Sequence, residues 1–422
     1  MFAIFPGLCH IKHIVHCLKD KTMTTLNRRG FLWTGLGFFA STTLANAFDF
    51  RSFTLKSFVS GPGDITGTVI KNDAPGKPWK WSREAFSYTP LPRGKVQCDI
   101  CPNRCILAEG DRSICRSKVN HNGVLYTLTY GNPCAAHVDP IEKKPLFHFR
   151  PRTLAYSIAA AGCNFRCLNC QNWEISQARP HEVRHTELFP ADVVQAALQS
   201  EAASIAYTYS EATSFFEYML DTARLARKKN ISNLYISNGY INPGPLGELV
   251  KVIDAANINL KAFSDAIYKK LNGGRLAPVL ETLKHLHRAK VHLEITNLVV
   301  PGYTDDPEMV KRMCGWIVKN LGPDHPLHFL RFFPTYKLDR LSPTPVSTLA
   351  SFREIALGEG IRYVYVGNVP EHEGNHTYCH QCRKKIVHRD GYNLDEYHIK
   401  NGACGFCGTK IPGVWDHGRA VL

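Results

Sequence analysis

The most informative part of this chain is residues 160–173, which read Ala-Ala-Gly-Cys163-Asn-Phe-Arg-Cys167-Leu-Asn-Cys170-Gln-Asn-Trp. The three cysteines have the spacing Cys-x3-Cys-x2-Cys, and no fourth cysteine stands nearby. A cubane iron–sulfur cluster normally takes four cysteine ligands, so three thiolates leave one iron open to a ligand from outside the chain. A zinc site or simple buried thiols are the alternatives, but structural zinc loops use Cys-x2-Cys pairs. The spacing therefore predicts a [4Fe–4S] cluster.

Strand-like and helix-like stretches alternate through the central region that contains this loop. Such alternation predicts a parallel sheet with crossover helices, and hence an α/β fold with a partial or complete (β/α) barrel. Strands are predicted over residues 154–160, 204–208, 234–237, 258–263, 291–299, 327–333 and 362–366, and helices over residues 191–200, 214–229, 278–289 and 307–320. The cysteine loop follows the first strand directly, at the carboxyl end where barrels of this type place their chemistry.

The three-cysteine loop resembles that of radical SAM enzymes. The resemblance implies that the amino and carboxylate groups of S-adenosylmethionine occupy the open iron. It also implies that an electron from the cluster cleaves the sulfonium to a 5′-deoxyadenosyl radical, which abstracts hydrogen. Asn169 fills a position that is commonly aromatic in such loops.

Four further strand ends resemble segments of glycyl-radical (pyruvate formate-lyase) activating enzymes. Residues 207–213 are similar to their Gly-Gly-Glu-Pro segment, residues 237–240 to their Asn-Gly turn, residues 257–261 to their Asp-x-Asp-x-Lys strand, and residues 299–306 to their Val-Pro-Gly-x-x-Asp segment. Each motif alone is also typical of a turn or a helix cap. The resemblance implies S-adenosylmethionine contacts by Ser210, Glu211, Asn238 and Lys261. Beyond the cluster ligands it assigns no catalytic residue.

A closer resemblance covers almost all of residues 98–415. The chain is similar to the radical SAM component of the AmmeMemoRadiSam system, through residues 138–149, 204–209, 363–369 and 411–415. This family implies Memo-like and AMMECR-domain proteins as partners, besides a low-potential electron donor. The implied reaction is glycyl-radical generation on a protein. Radical modification of another protein or small molecule is the runner-up, and a non-catalytic iron–sulfur electron carrier is an alternative of a different class.

Two further cysteine groups flank the central region. The C-terminal group, Cys379-x2-Cys382 and Cys404-x2-Cys407, has the spacing of a zinc ribbon or rubredoxin. We expect zinc there, with rubredoxin-like iron as the alternative. The N-terminal group has four cysteines at x2, x3 and x9, which suit either zinc or a second iron–sulfur cluster; they are Cys98, Cys101, Cys105 and Cys115. Cys134 has no evident partner.

Composition sets the outer limits of these interpretations. The 422 residues include 51 basic and 36 acidic ones, but the charge is spread along the chain without a nucleic-acid motif. We therefore expect no nucleic-acid partner. Most of the 15 cysteines fall in metal-type groups, which favours metal binding over disulfides.

The N-terminal residues resemble an export signal. Asn-Arg28-Arg29-Gly-Phe-Leu precedes an apolar stretch and Ala45-Asn-Ala47, which is typical of a twin-arginine leader. Chance occurrence of the arginine pair is the alternative. We expect assembly in the cytoplasm, with export to the periplasm if the signal is used, and a true start at Met23. The expected order is a signal region (1–47), a linker (48–95), an N-terminal cysteine-rich segment (96–150), the radical SAM core (151–370) and a zinc-ribbon or rubredoxin-like module (371–422).

Overall fold

The computed structural model of the chain describes residues 78–415. The expected signal region and start site lie outside these residues. Within the described range, no helix is long and apolar enough to cross a membrane. The described part begins with six short strands in two small sheets, of order β1-β6-β5 and β2-β3-β4. They are β1 Arg83–Glu84, β2 Tyr88–Leu91, β3 Lys95–Cys98, β4 Ile106–Leu107, β5 Lys118–His121 and β6 Val124–Thr127.

An eight-stranded sheet forms the centre of the molecule. Its order is β14-β13-β12-β11-β10-β9-β8-β7, with seven parallel strands and the antiparallel edge strand β7. The strands are β7 Ala135–Pro140, β8 Leu154–Ala159, β9 Ser204–Tyr207, β10 Ser232–Ser237, β11 Ala255–Asn259, β12 His292–Val299, β13 Leu327–Arg331 and β14 Val364–Gly367. Since β7 and β14 do not pair in the described part of the chain, the sheet fits the partial barrel of the prediction and not the complete one.

Eight helices follow or connect these strands in the described range. They are α1 Trp173–Ser176, α2 Pro190–Gln199, α3 Phe216–Arg227, α4 Pro243–Leu249, α5 Asp265–Ile267, α6 Leu276–Arg288, α7 Pro307–Leu321 and α8 Val346–Gly358. The start of α7 shows how local sequence determines where a helix begins. Asp306 accepts a hydrogen bond from the Glu308 amide, and Pro307 occupies the first helical position. Its apolar face, including Met313 and Ile317, is buried in the main core.

The observed elements differ from the prediction in three places. The strand expected over residues 258–263 lies instead at Ala255–Asn259, because Asn257 is satisfied inside the sheet by the Pro145 carbonyl and the Thr296 hydroxyl. The expected linker over residues 48–95 contains β1 and β2. The segment expected to belong to the N-terminal cysteine region contains β7, which is part of the main sheet.

A C-terminal module packs beside β14. Its strands are β15 Thr377–Tyr378, β16 Lys385–Asp390, β17 Asn393–Tyr397, β18 Ile399–Lys400 and β19 Ala403–Cys404. Arg389 of β16 is 1% exposed, and its guanidinium lies 4.2 Å from the ring centroid of Phe147. His148 contacts both the Pro412 carbonyl and the Tyr365 hydroxyl. Buried polar groups therefore join the module to residues 147–148, between β7 and β8, and to Tyr365 of β14.

Candidate functional site

Cys163, the first of the three cysteines in the loop, lies four residues after the end of β8. Gly162 has a φ of +105°, and a Cβ on it would overlap the carbonyl oxygen of Cys115. Only glycine suits this backbone position, because other residues avoid positive φ and the neighbouring backbone leaves no room. The entry into the loop is thus fixed by contact with the N-terminal cysteine segment.

Hydrogen bonds to two of the three sulfurs orient the loop. The Phe165 amide donates to Cys163 Sγ at 3.4 Å, and Asn272 Nδ2 donates to Cys167 Sγ at 3.2 Å. Hydrogen bonds to cluster sulfurs are one of the terms that set a cluster's reduction potential. Asn272 was not predicted, since an Asn-Gly-Gly sequence indicates only a turn and nothing in it points to a distant cysteine.

Burial governs the charge state of the Cys163 and Cys170 thiols. Burial raises the pKa of Cys163 well above its usual value, with the neighbouring Glu211 carboxylate adding to the effect. Burial also raises the pKa of Cys170 to about 11, while the nearby Lys261 ammonium opposes the shift. Thiols with such pKa values stay protonated at neutral pH, so metal binding must release protons here.

The three cysteines share one cavity with all four side chains predicted as cofactor contacts. The space within it amounts to about 510 Å³, which includes open solvent. Besides Cys163, Cys167 and Cys170, it is lined by Gln171, Asn172, Ser176, Gln177, Thr208, Tyr209, Ser210, Glu211, Ile236, Ser237, Asn238, Asn259 and Lys261. Thr208 Oγ1 is buried without a hydrogen-bond partner among the described residues. A buried hydroxyl without a partner is costly, so this wall suits a polar ligand.

Glu211 is the buried acid of the cavity, with 2% of its surface exposed. Its carboxylate accepts hydrogen bonds from the Thr213 amide at 2.9 Å, the Ser237 hydroxyl at 2.6 Å and the Asn238 amide at 2.9 Å. These bonds hold the carboxylate at the ends of β9 and β10. An ionised carboxylate has about four lone-pair sites, so capacity remains for one cationic donor.

Two other predicted contacts already take part in the scaffold. The Ser210 hydroxyl donates to the Ala160 carbonyl at 2.6 Å, which leaves its oxygen lone pairs as acceptors. Asn238 Nδ2 donates to Asn164 Oδ1 at 2.8 Å, and Asn238 Oδ1 accepts from the Tyr240 backbone amide at 2.9 Å. Asn238 therefore connects the β10 turn to the cysteine loop.

Lys261 and Asn259 reach the cavity from the end of β11. The Lys261 side chain is 6% exposed, and its backbone amide donates to the Tyr268 hydroxyl at 3.0 Å. Asn259 Nδ2 lies 3.3 Å from the Ser237 carbonyl. The buried ammonium of Lys261 offsets negative charge beside Cys170, whose pKa it lowers.

The C-terminal cysteines form a compact group. The Sγ atoms of Cys379 and Cys407 are 3.6 Å apart, and those of Cys382 and Cys404 are 3.8 Å apart. All four sulfurs lie within 4.8 Å of one another. Tetrahedral zinc with Zn–S bonds of about 2.3 Å places its sulfurs about 3.8 Å apart. The group therefore fits a single metal ion.

Comparison with known proteins places the chain in a family. The Radical SAM superfamily profile matches residues 157–314. The chain is 45% identical over 331 residues to protein MJ0808 of Methanocaldococcus jannaschii, which covers 78% of this chain and 98% of that protein. It is 26% identical over 211 residues to the pyruvate formate-lyase 1-activating enzyme of Escherichia coli K12, covering 46% of this chain and 85% of that enzyme.

Two solved structures align with parts of the chain. A radical SAM methyltransferase from Sphaerobacter thermophilus aligns with a TM-score of 0.43 and 11% identity, covering 69% of this chain and 79% of that chain. A domain of a pyruvate-formate lyase-activating enzyme from Bacteroides vulgatus aligns with a TM-score of 0.35 and 12% identity, covering 39% of this chain and 99% of that chain.

Proposed function

The chain belongs to the radical SAM superfamily, within the family of protein MJ0808, and we propose that it is an enzyme that cleaves S-adenosylmethionine reductively. The observation that carries the proposal is the shared cavity, which is lined by three cysteines of one loop, the half-buried Cys163 and the buried Cys167 and Cys170, together with buried Glu211. Cys163, Cys167 and Cys170 would hold a [4Fe–4S] cluster there, which would supply the electron for reductive cleavage of the sulfonium.

The residues of the cavity have distinct roles in this proposal. Cys163, Cys167 and Cys170 ligate three irons and leave the fourth open to the amino acid part of the cofactor. Glu211, already held by three hydrogen bonds, accepts one more from the cofactor's ammonium. Lys261 offsets the negative charge of the thiolates, because its ammonium is buried near Cys170.

We infer that the radical acts on a protein. This is supported by the relation to a pyruvate formate-lyase activating enzyme and by the similar strand-end segments. Radical modification of another protein or a small molecule is the second candidate. The AmmeMemoRadiSam resemblance adds Memo-like and AMMECR-domain proteins to the proposed partners, together with a low-potential electron donor. We further propose zinc in the C-terminal group, cytoplasmic assembly, and use of the twin-arginine segment for export.

The test uses anaerobically reconstituted, dithionite-reduced full-length protein. We expect its electron paramagnetic resonance spectrum to change on addition of S-adenosylmethionine, and chromatography to detect 5′-deoxyadenosine. Cys163→Ala should abolish nucleoside formation, while Cys314→Ala, a buried cysteine in α7, should retain it. A reducible cluster with no spectral change and no nucleoside would overturn the proposal and favour an electron carrier.

A further inference from the structure

The four N-terminal cysteines converge in space although they span 18 residues. The Cys98 amide donates to the Cys105 carbonyl at 2.9 Å, which closes the loop between them. The Ile114 amide donates to Cys105 Sγ at 3.4 Å and brings the last part of the segment onto the loop. Cys98, Cys101 and Cys115 are 5%, 8% and 7% exposed. The neighbouring thiols also contribute to the raised pKa of Cys98, although burial is the main cause.

The distances between the sulfur atoms of these four cysteines do not suit a single metal ion. Among residues 78–415, the C-terminal cysteines are the one group of three or more metal-ligating side chains whose ligand atoms all lie within 4.8 Å of one another. The N-terminal group is outside this limit, as are Cys163, Cys167 and Cys170. A polynuclear cluster holds its thiolates around several metal atoms, so its ligands stand further apart than the ligands of one zinc ion.

The surroundings of the N-terminal group supply positive charge. Lys118 is 1% exposed and pairs with Glu217, with Nζ 2.8 Å from Oε2. Glu217 is the direct partner of the ammonium, and Cys98 and Cys115 are close enough to interact with it electrostatically. A buried lysine is retained charged only beside compensating negative charge. Glu217 supplies this charge directly, and thiolates at Cys98 and Cys115 would add to it.

The N-terminal group also touches the cysteine loop of the barrel. Gly162, next to Cys163, packs directly on the Cys115 carbonyl. Asn103, between Cys101 and Cys105, donates from Nδ2 to the Asn164 carbonyl at 2.8 Å. The first contact joins the residue before Cys163 to Cys115 itself, and the second joins Asn103, two residues from both Cys101 and Cys105, to the residue after Cys163. The two cysteine sites are therefore neighbours.

We propose that Cys98, Cys101, Cys105 and Cys115 hold a second iron–sulfur cluster, ligated by four cysteines and seated beside the cluster of the barrel loop. All four positions on this cluster are filled by the chain, so it has no iron open to S-adenosylmethionine. Ligation of a cluster by these four cysteines does not depend on the reaction or on its substrate. Failure of this inference is thus separable from failure of the proposed function.

The test measures metal and acid-labile sulfide in the triple variant Cys163→Ala, Cys167→Ala, Cys170→Ala, reconstituted anaerobically as the full-length chain. We expect about two to four irons per chain with a matching amount of sulfide, and a reducible cluster spectrum that S-adenosylmethionine does not alter. Iron without sulfide would come from the C-terminal group, which fits a mononuclear ion. Zinc at the N-terminal group, or no sulfide, would overturn the proposal.

The unmodified protein provides a second measurement that does not depend on folding of the variant. We expect two reducible components in its electron paramagnetic resonance spectrum, of which one responds to S-adenosylmethionine. In the fully reduced protein the two signals should broaden each other, because neighbouring paramagnets interact. Cys101→Ser should remove the unresponsive component and the broadening. A single component that accounts for all iron and responds to the cofactor would contradict the proposal.

Discussion

The N-terminal and C-terminal cysteine groups contain four cysteines each, yet the fold arranges them differently. In the C-terminal module, short strands bring the four sulfurs within 4.8 Å of one another. In the N-terminal segment, no three of the cysteines come this close to one another within residues 78–415, and buried Lys118 lies beside them. The difference teaches that four cysteines at metal-type spacing can end at different separations in the fold, and this contrast underlies the proposal of one ion in one group and a cluster in the other.

The largest expected effect comes from breaking the compact group. Cys404→Ser should release the C-terminal metal and open residues 377–411, at a cost on the order of 5 kcal/mol, because a small metal module draws much of its folding free energy from the ion. Metal analysis and hydrogen exchange of β16 and β17 measure this. Cys134→Ser, whose side chain can still donate to the Ala159 carbonyl, is the control. If the module loses its metal but β16 and β17 stay protected from hydrogen exchange, the expectation is contradicted. If Cys404→Ser also lowers the sulfide content, the C-terminal group holds a cluster too, and the contrast between the two groups disappears.

The contact between the N-terminal group and the barrel loop should be the next most sensitive feature. Gly162→Ala should destabilise the protein by about 3 kcal/mol, since a side chain at positive φ is strained and this one meets the Cys115 backbone. Gly110→Ala is the matched control, with φ +75° and no atom within 4 Å of its Cβ. It should cost only about 1 kcal/mol. Thermal unfolding and iron content are the readouts, and equal effects of the two substitutions would argue against the contact.

Mild acid should loosen the C-terminal module before the N-terminal group. Burial lowers the pKa of His148 from 6.5 to about 3 in the folded protein. Between these values the unfolded chain binds a proton that the folded chain does not, so stability falls as pH drops below 6.5, by up to about 1.4 kcal/mol per pH unit. Hydrogen exchange of the module at pH 7.5 and 5.5 measures this change.

The control for this pH effect is His148→Asn, which removes the titrating group. It should lower stability at pH 7.5, because the bonds to Pro412 and Tyr365 are disturbed. Its pH dependence should be shallower than that of the unmodified protein, which separates His148 from the pH dependence of metal binding itself. An unchanged slope would assign the acid sensitivity to other groups.

The smallest expected effect is a shift in the reduction potential of one of the two proposed clusters. Asn272→Ala removes the hydrogen bond to Cys167 Sγ. Such a bond is worth about 1 kcal/mol, so the potential of the barrel-loop cluster should fall by about 40 mV. Asn103→Ala removes a bond to a backbone carbonyl and should leave that potential unchanged. A redox titration followed by electron paramagnetic resonance measures both, and equal shifts would assign the effect to general loosening.

Several parts of the site were accessible from the sequence and others were not. The cysteine loop was predicted from its spacing after a recognisable strand, Glu211 and Lys261 were implied by the resemblance of their segments to activating enzymes, and all of them line one cavity. Asn272 was missed because its role depends on a contact with Cys167, 105 positions away. The strand containing Asn257 was misplaced because local patterns disfavour buried amides, whereas Pro145 and Thr296 satisfy this one.

By itself the sequence determined which residues can bind metal and the alternation that builds a partial barrel, since both are local properties of spacing and periodicity. Tertiary structure alone decided the distances between sulfurs, the antiparallel position of β7 and the seating of Gly162 on Cys115. These features arise from contacts between segments far apart in the chain. Local residue patterns do not encode the distances at which such segments pack.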